Sequence, residues 1–235
     1  MSQPIITGET QQAQEGQGLV EYGLILVLIA LVAMGALVGL GKGTNIGFTK
    51  TLAAFQGEES SLLQDKFDGS GNMEWQSIFG TWSIIEGRMQ GGDRYWTLML
   101  SPVPADDYTY SVDLQTINSR GVQFWDVART VFRFQDTKNY YSLLVDRRGT
   151  IELAKTQNGR WVSSLAWGRT GADPLAEHTF KVKVTDSRIQ AWLDDQQYID
   201  FVDPDPIPTG GVGIANDASL TAFDNVEVIM EVNGG

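Results

Sequence analysis

Side chains that commonly carry out catalysis are sparse in this sequence. It has one histidine, His178, and no cysteine. A Ser-His-Asp relay, a thiolate nucleophile and a cysteine-built metal site therefore all lack parts. His178 stands just before an alternating run and reads as a surface or sheet-edge residue. Glycoside hydrolysis needs two carboxylates facing one cleft. The best-patterned strand, YSVDLQ, offers Asp113 alone, while Asp106-Asp107, Asp194-Asp195 and Asp203-Asp205 stand in turn-like sequences. The expectation is that this protein is not an enzyme. Tryptophan is abundant instead: Trp75, Trp82, Trp96, Trp125, Trp161, Trp167 and Trp192. An indole face fills a core or, where the fold leaves it open, stacks on a ligand ring. Trp82 and Trp192 are expected in the core. Trp96, Trp125, Trp161 and Trp167 are the candidate ligand-stacking residues. Arg129 and Arg133, close to Phe132 and Phe134, either donate to ligand hydroxyls or solvate a face.

The elements that must position these residues are strands. Tyr108, Tyr110, Val112 and Leu114 alternate with polar residues, as do Phe180, Val182 and Val184, then Ile189, Ala191 and Leu193, and Tyr141, Leu143 and Val145. Period-two alternation of this kind marks antiparallel sheet with one face buried. Glu86-Gly87, Arg148-Gly149, Asn158-Gly159 and Asp194-Asp195 fall at hairpin intervals. About a dozen short strands in residues 65–235 make an all-β antiparallel sandwich the expected architecture. Seventeen basic against 29 acidic residues give a net charge of −12, which argues against a nucleic-acid partner.

The first quarter of the chain has a different texture. Residues 1–16 are polar without Lys or Arg, Leu19 to Leu40 is an apolar run, and residues 57–64 read as a linker. As a helix the apolar run would be roughly 33 Å long at about 1.5 Å per residue, enough to span a bilayer. A cleaved secretory signal fits poorly, because no basic region precedes the run and no small-residue cleavage site follows it. Glu21 would sit at the N-terminal end of the helix, where its charge is favoured. Gly35, Gly39 and Gly43 recur every four residues, a stripe along which a second helix can approach closely.

Gly16, four residues, then Glu21-Tyr22 and the long apolar run resemble the Flp-type (Tad) branch of the type IV pilins. The resemblance covers roughly residues 14–56. It implies that residues 1–16 are a leader, removed by a prepilin peptidase between Gly16 and Gln17, and that residues 17–56 form the assembly helix. It also implies that the new ammonium at Gln17 pairs with Glu21 of a neighbouring copy, while Tyr22 orients the first turn. Such a pair adds little net stability, but it sets register, since a misplaced subunit leaves both charges unpaired. The leader departs from the usual charge asymmetry, carrying Glu9 and Glu15 where basic residues are expected.

Four later stretches, GTWSIIEGRM, FRFQDTKNYYSLLVD, HTFKVKVTDSRIQAWLDDQQYIDF and GGVGIANDASLTAFDNVEV, are similar in order and content to the concanavalin A-like, laminin G-like jelly-roll modules. That resemblance implies surface glycans as partners. It also implies a structural calcium, no other cofactor being expected, with Asp68 and Asp224 at the matching positions. Together the two resemblances describe a long N-terminal α-helix followed by a lectin-like sandwich. The expected protein is a pilus subunit, held in the inner membrane as a precursor with the peptidase and assembly machinery. It then polymerises with copies of itself into an extracellular, adhesive filament. The alternative is a single-span, membrane-anchored carbohydrate-binding module that forms no filament. The mature N-terminus separates the two. Protein sheared from cells is expected to begin at Gln17 by intact mass, whereas a chain still beginning at Met1 lacks the ammonium and leaves the anchored module.

Overall fold

The computed structural model describes residues 61–230 apart from 93, 94 and 104. The leader and apolar segment, with Gly16, Gln17, Glu21, Tyr22, Gly35, Gly39 and Gly43, lie outside the described residues. Fifteen strands follow in chain order. They are β1 (Ser61–Asp65), β2 (Gln76–Phe79), β3 (Trp82–Ile85), β4 (Arg88–Gly92), β5 (Thr97–Ser101), β6 (Tyr108–Ser119), β7 (Ala128–Asp136) and β8 (Asn139–Val145). After them come β9 (Thr150–Gln157), β10 (Arg160–Arg169), β11 (His178–Thr185), β12 (Arg188–Leu193), β13 (Gln196–Val202), β14 (Gly211–Asn216) and β15 (Ser219–Met230). Among the described residues no helix is long and apolar enough to cross a membrane.

The strands form two antiparallel sheets. One runs β13-β12-β11-β6-β15-β4-β3, with β1 added alongside β15, and the other runs β10-β9-β8-β7-β14-β5-β2. β1 begins at Ser61, inside the stretch read from sequence as a linker. The reason is long-range: β4 pairs only Leu220–Phe223 of the twelve-residue β15, and β1 takes up the open stretch from Val226 to Ile229. No local signal in GEESSLLQD announces that partner.

The alternating residues do face the core. Tyr108, Tyr110, Val112, Leu114, Tyr141, Leu143, Val145, Phe180, Val182, Val184, Ile189, Ala191 and Leu193 all belong to one buried cluster between the sheets. The hairpin signals act as expected. Glu86-Gly87, Asn158-Gly159 and Asp194-Asp195 each hold two consecutive positive φ values, the tight-turn geometry that matches strand twist. Trp82 packs on this core against Phe223, ring centres 6.0 Å apart. Trp192 does not. Ile189, Ala191 and Leu193 point inward, so residue 192 must point outward, and Lys181 lies over its indole.

Two buried cations fasten the irregular segment before β14. Arg133 adopts a positive φ of 47° at a bulge in β7 and is fully buried. Its guanidinium donates to the carbonyls of Asp186, Ile207 and Asp106 at 2.6, 3.0 and 3.0 Å. It therefore neither solvates a face nor is open to a ligand. Lys155 reaches inward from β9 to Asp203 at 2.9 Å and to the carbonyl of Asp205. The Tyr141 hydroxyl donates to the same Asp203 oxygen at 2.5 Å and accepts from the Ile207 N–H at 3.1 Å. Asp203 is therefore more than a turn former. Burial works to raise its pKa, but hydrogen bonds from Tyr141 and Lys155 hold the carboxyl below its ordinary value.

A depressed carboxyl contributes stability above its unfolded pKa of about 3.9 and loses it as pH falls through the lower folded value. Lys155→Met strands the Asp203 charge and is expected to cost about 3–5 kcal/mol in urea unfolding at pH 7. The deficit should narrow as pH falls and Asp203 takes a proton. A deficit constant from pH 7 to 3 would show that the stranded charge is not its source.

Candidate functional site

One strand face builds the core and the opposite face builds the site. Ile151 and Leu153 of β9 are buried between the sheets, so Glu152 faces away. By the same alternation Tyr140 and Leu144 of β8 face outward, opposite Tyr141, Leu143 and Val145. Register then aligns a row across the outer face of the seven-stranded sheet: Trp167, Glu152, Leu144, Arg129, Ala215 and Leu98. A second row brings Trp161 beside Thr156 and Thr156 beside Tyr140.

The segment between β6 and β7 supplies the wall above this face. The Arg120 and Gly121 N–H groups both donate to the Ala218 carbonyl at 2.8 Å. The Asp126 carboxylate accepts the Gln123 N–H at 2.7 Å. From the β8–β9 turn, Arg147 donates to the Gln123 carbonyl at 2.6 Å, and the Arg148 guanidinium lies 3.6 Å over the Phe124 ring. Arg148 is itself held by the fully buried Asp146 at 2.6 Å. Phe124 and Trp125, edge to face at 4.5 Å, are thereby fixed over the sheet.

The result is a cavity of about 650 Å³ lined by Trp96, Trp125, Trp161, Arg129, Glu152 and Asp217, among others. That size and its aromatic lining suit a small organic ligand. Two smaller hollows adjoin it. One of about 310 Å³ contains Trp167 and shares Arg148, Glu152 and Ser164 with the main cavity. The other, about 150 Å³, lies between Phe79 and Phe134 and shares Trp96 and Tyr140. The four candidate tryptophans thus come to one continuous face. Trp96 is partly buried, stacked on Tyr140, whereas Trp125, Trp161 and Trp167 are 39%, 50% and 62% exposed.

Arg129 organises the cavity floor. Only 3% exposed, it donates to the Trp125 carbonyl at 2.7 Å, lies 3.8 Å from Asp217 and sits 5.2 Å from the Trp96 ring centre. Its Nε has no hydrogen-bond partner among the described residues. Burial lowers the Arg129 pKa, opposed chiefly by Asp217. Burial raises the pKa of Asp217, which Arg129 counteracts and Asp126 reinforces. The Glu152 side chain makes no hydrogen bond or close ion pair among the described residues, although its charge acts on Arg129. The cavity therefore presents aromatic faces, an open carboxylate acceptor and a buried donor, the groups that recognise a polyhydroxylated ring.

Sequence reasoning missed Glu152, Arg148, Ser164, Phe124 and Asp217. Alternation could have found Glu152, since ILE-type spacing in TIELAK places it opposite Ile151 and Leu153. Asp217 and Phe124 enter through loops, which carry no periodicity. Asp113 lies on the other sheet, accepting from Thr179 at 2.5 Å and Asn225 at 2.8 Å, away from the cavity. His178 bridges Asp194 at 2.7 Å and the Asp173 carbonyl at 2.9 Å at the start of β11, also on the other sheet.

Asp68 and Asp224, the two residues expected beside a calcium, each make local hydrogen bonds. Asp68 accepts from the Ser70 N–H and hydroxyl at 2.9 and 2.5 Å, and those bonds lower its pKa. Asp224 accepts the Asn225 N–H at 2.7 Å. Among the described residues no group of three or more His, Asp or Glu converges as metal ligands.

Two antiparallel sheets with an aromatic cavity on one outer face define a galectin-like jelly roll, the fold of carbohydrate-binding modules. Its similarities are specific. The chain is 32% identical over 135 residues to the levanase of Bacillus subtilis (strain 168), a match covering 55% of this chain and 19% of the levanase. The carbohydrate-binding module CBM66 from Bacillus subtilis superposes with a TM-score of 0.60 at 28% identity, over 67% of this chain and 97% of that module. A Bacillus subtilis protein of unknown function with a galectin-like fold matches at a TM-score of 0.54 and 14% identity, over 74% and 97% of the two chains, which shows the fold alone. No family model matches the chain. Residues 61–230 are thus a carbohydrate-binding-module-like domain.

Because Arg129 lowers the Asp217 pKa, Arg129→Met should move the Asp217 titration to higher pH, read by carboxyl NMR. An unmoved midpoint would show that the 3.8 Å approach carries no electrostatic coupling.

Proposed function

We propose that residues 61–230 bind, without cleaving it, a levan-type fructan, one sugar unit occupying the main cavity. The observation that carries this reading is the convergence of Trp125 and Trp161 on the unpaired Glu152 and the buried, incompletely satisfied Arg129. Aromatic faces supply apolar contact with the ring's C–H face, while the two charged groups accept from and donate to its hydroxyls. Levan is the polymer to try because the relative that is 32% identical is a levanase, although the match takes in 19% of it. Two carboxylates do line the cavity, but Asp217 is turned to Arg129, and the likeness to a binding module spans 97% of that module. These facts favour binding over hydrolysis.

We assign the apolar segment the task of holding the module at a prokaryotic cell surface, as a single-span anchor. The Gly16 to Tyr22 motif favours a second reading, in which the same segment polymerises and the module becomes the sheath of an adhesive pilus. Both readings keep the module outside the cell, where polysaccharide is.

The full-length chain, in mild detergent, is expected to be retarded in gels containing levan and to release no reducing sugar from it. Trp161→Ala, half-exposed on the outer face of the edge strand β10, should weaken retention by about tenfold, equivalent to about 1.4 kcal/mol. Unretarded migration would dismiss the reading, and release of sugar would convert the module into a hydrolase.

A further inference from the structure

β10 contains a local irregularity with a functional consequence. Its register with β9 passes from Val162 opposite Lys155 to Ala166 opposite Leu153, so four steps on β10 match two on β9. Ser164 takes a φ of 36° within this bulge. Bulges re-aim side chains beside binding sites. Here the insertion is two residues, an even number, so side-chain alternation is preserved. Trp161 opposite Thr156 and Trp167 opposite Glu152 therefore project from the same outer face. The two extra residues are taken up between the indoles, which stay opposite Thr156 and Glu152, and Ser164 among them stands in the wall common to the two hollows.

The hollow around Trp167 has the composition of a ligand site in its own right. Trp167 is the more exposed of the two β10 indoles. Arg169 and Thr150 stand beside it, and the Arg169 side chain makes no hydrogen bond or ion pair among the described residues. Arg148, which borders both hollows, is pinned by two hydrogen bonds to Asp146 and by the Phe124 ring. A guanidinium held this way donates to a ligand with little further loss of side-chain freedom.

We infer that the Trp167 hollow is a second sugar subsite, so that the module grips at least two consecutive units of one polysaccharide chain. One unit stacks in the main cavity and the next on Trp167. The linkage between them crosses the shared wall of Arg148, Glu152 and Ser164. This rests on the glycan-binding reading above and adds to it a minimum ligand length.

The test is calorimetric titration of the full-length chain in mild detergent with fructose, levanbiose and levantriose. Wild type should bind the two oligosaccharides about tenfold more tightly than fructose. Trp167→Ala, which removes an exposed side chain, should erase that gain. Trp161→Ala should weaken all three ligands alike. Equal affinity of wild type for fructose and levantriose, or a Trp167→Ala profile identical to wild type, would overturn the second subsite and leave the single-site reading standing. Absence of binding to all three would overturn the fructan reading and the subsite with it.

Discussion

A guanidinium buried on the open side of a sheet is the constraint around which the site is arranged. Arg129 projects away from the core, where alternation would ordinarily leave a polar residue in water, yet it is almost wholly covered. Removing that charge from solvent is costly unless dipoles and counter-charges replace the water. The Trp125 carbonyl, the Asp217 carboxylate and the Trp96 ring perform that replacement. Each comes from a different part of the chain, and each also lines the cavity. Covering Arg129 is therefore the same act as roofing the cavity.

The period of two explains how a thin sandwich can hold both a core and a binding face. On β8, Tyr141, Leu143 and Val145 fill the interior, while Tyr140 and Leu144 belong to the outer face. A small second apolar cluster, Leu98, Val131 and Ala215 with Phe134 and Tyr140 against it, backs that outer surface. The aromatic track thus rests on packed side chains rather than on solvent. The inner face needs its own polar fastening where the chain leaves regular structure, and Arg133 and Lys155 provide it by tying residues 203–207 to β7 and β9.

How much of this was legible depends on whether the signal was local. The alternating runs and the Asn-Gly and Asp-Asp turns dictate strands and hairpins within a few residues of themselves, and the jelly roll follows from them. The four tryptophans were set apart from Trp82 and Trp192 because those two sat inside recognisable strand motifs. Even there, Trp192 was misplaced by ignoring the alternation of its own neighbours. Arg133 was opaque, since a bulge at that residue overrides its strand parity. β1, Asp217 and Phe124 owe their positions to partners more than a hundred residues away or to loops, and nothing adjacent in sequence encodes that. The pilin-like motif lies outside the described residues and stands as a sequence resemblance.

β1 also has a mechanical meaning. It is joined to β15 by four register pairs with an irregularity among them, while its far end is fixed. There Asp65 accepts from the Phe67 N–H at 2.7 Å and the Trp75 indole at 3.0 Å, and Gln64 and Asn72 exchange two hydrogen bonds. Tension applied through the preceding chain would load these pairs one after another from Ser61, because the pull enters at the strand's free end. Peeling five residues lengthens the tether by roughly 17 Å at about 3.3 Å per residue. The Asp65 bonds to Phe67 and Trp75 lie at the end of this stretch, and the strand belongs to the sheet that does not carry the cavity. β1 is in this sense a short shock absorber, able to yield while the cavity-bearing sheet keeps its shape.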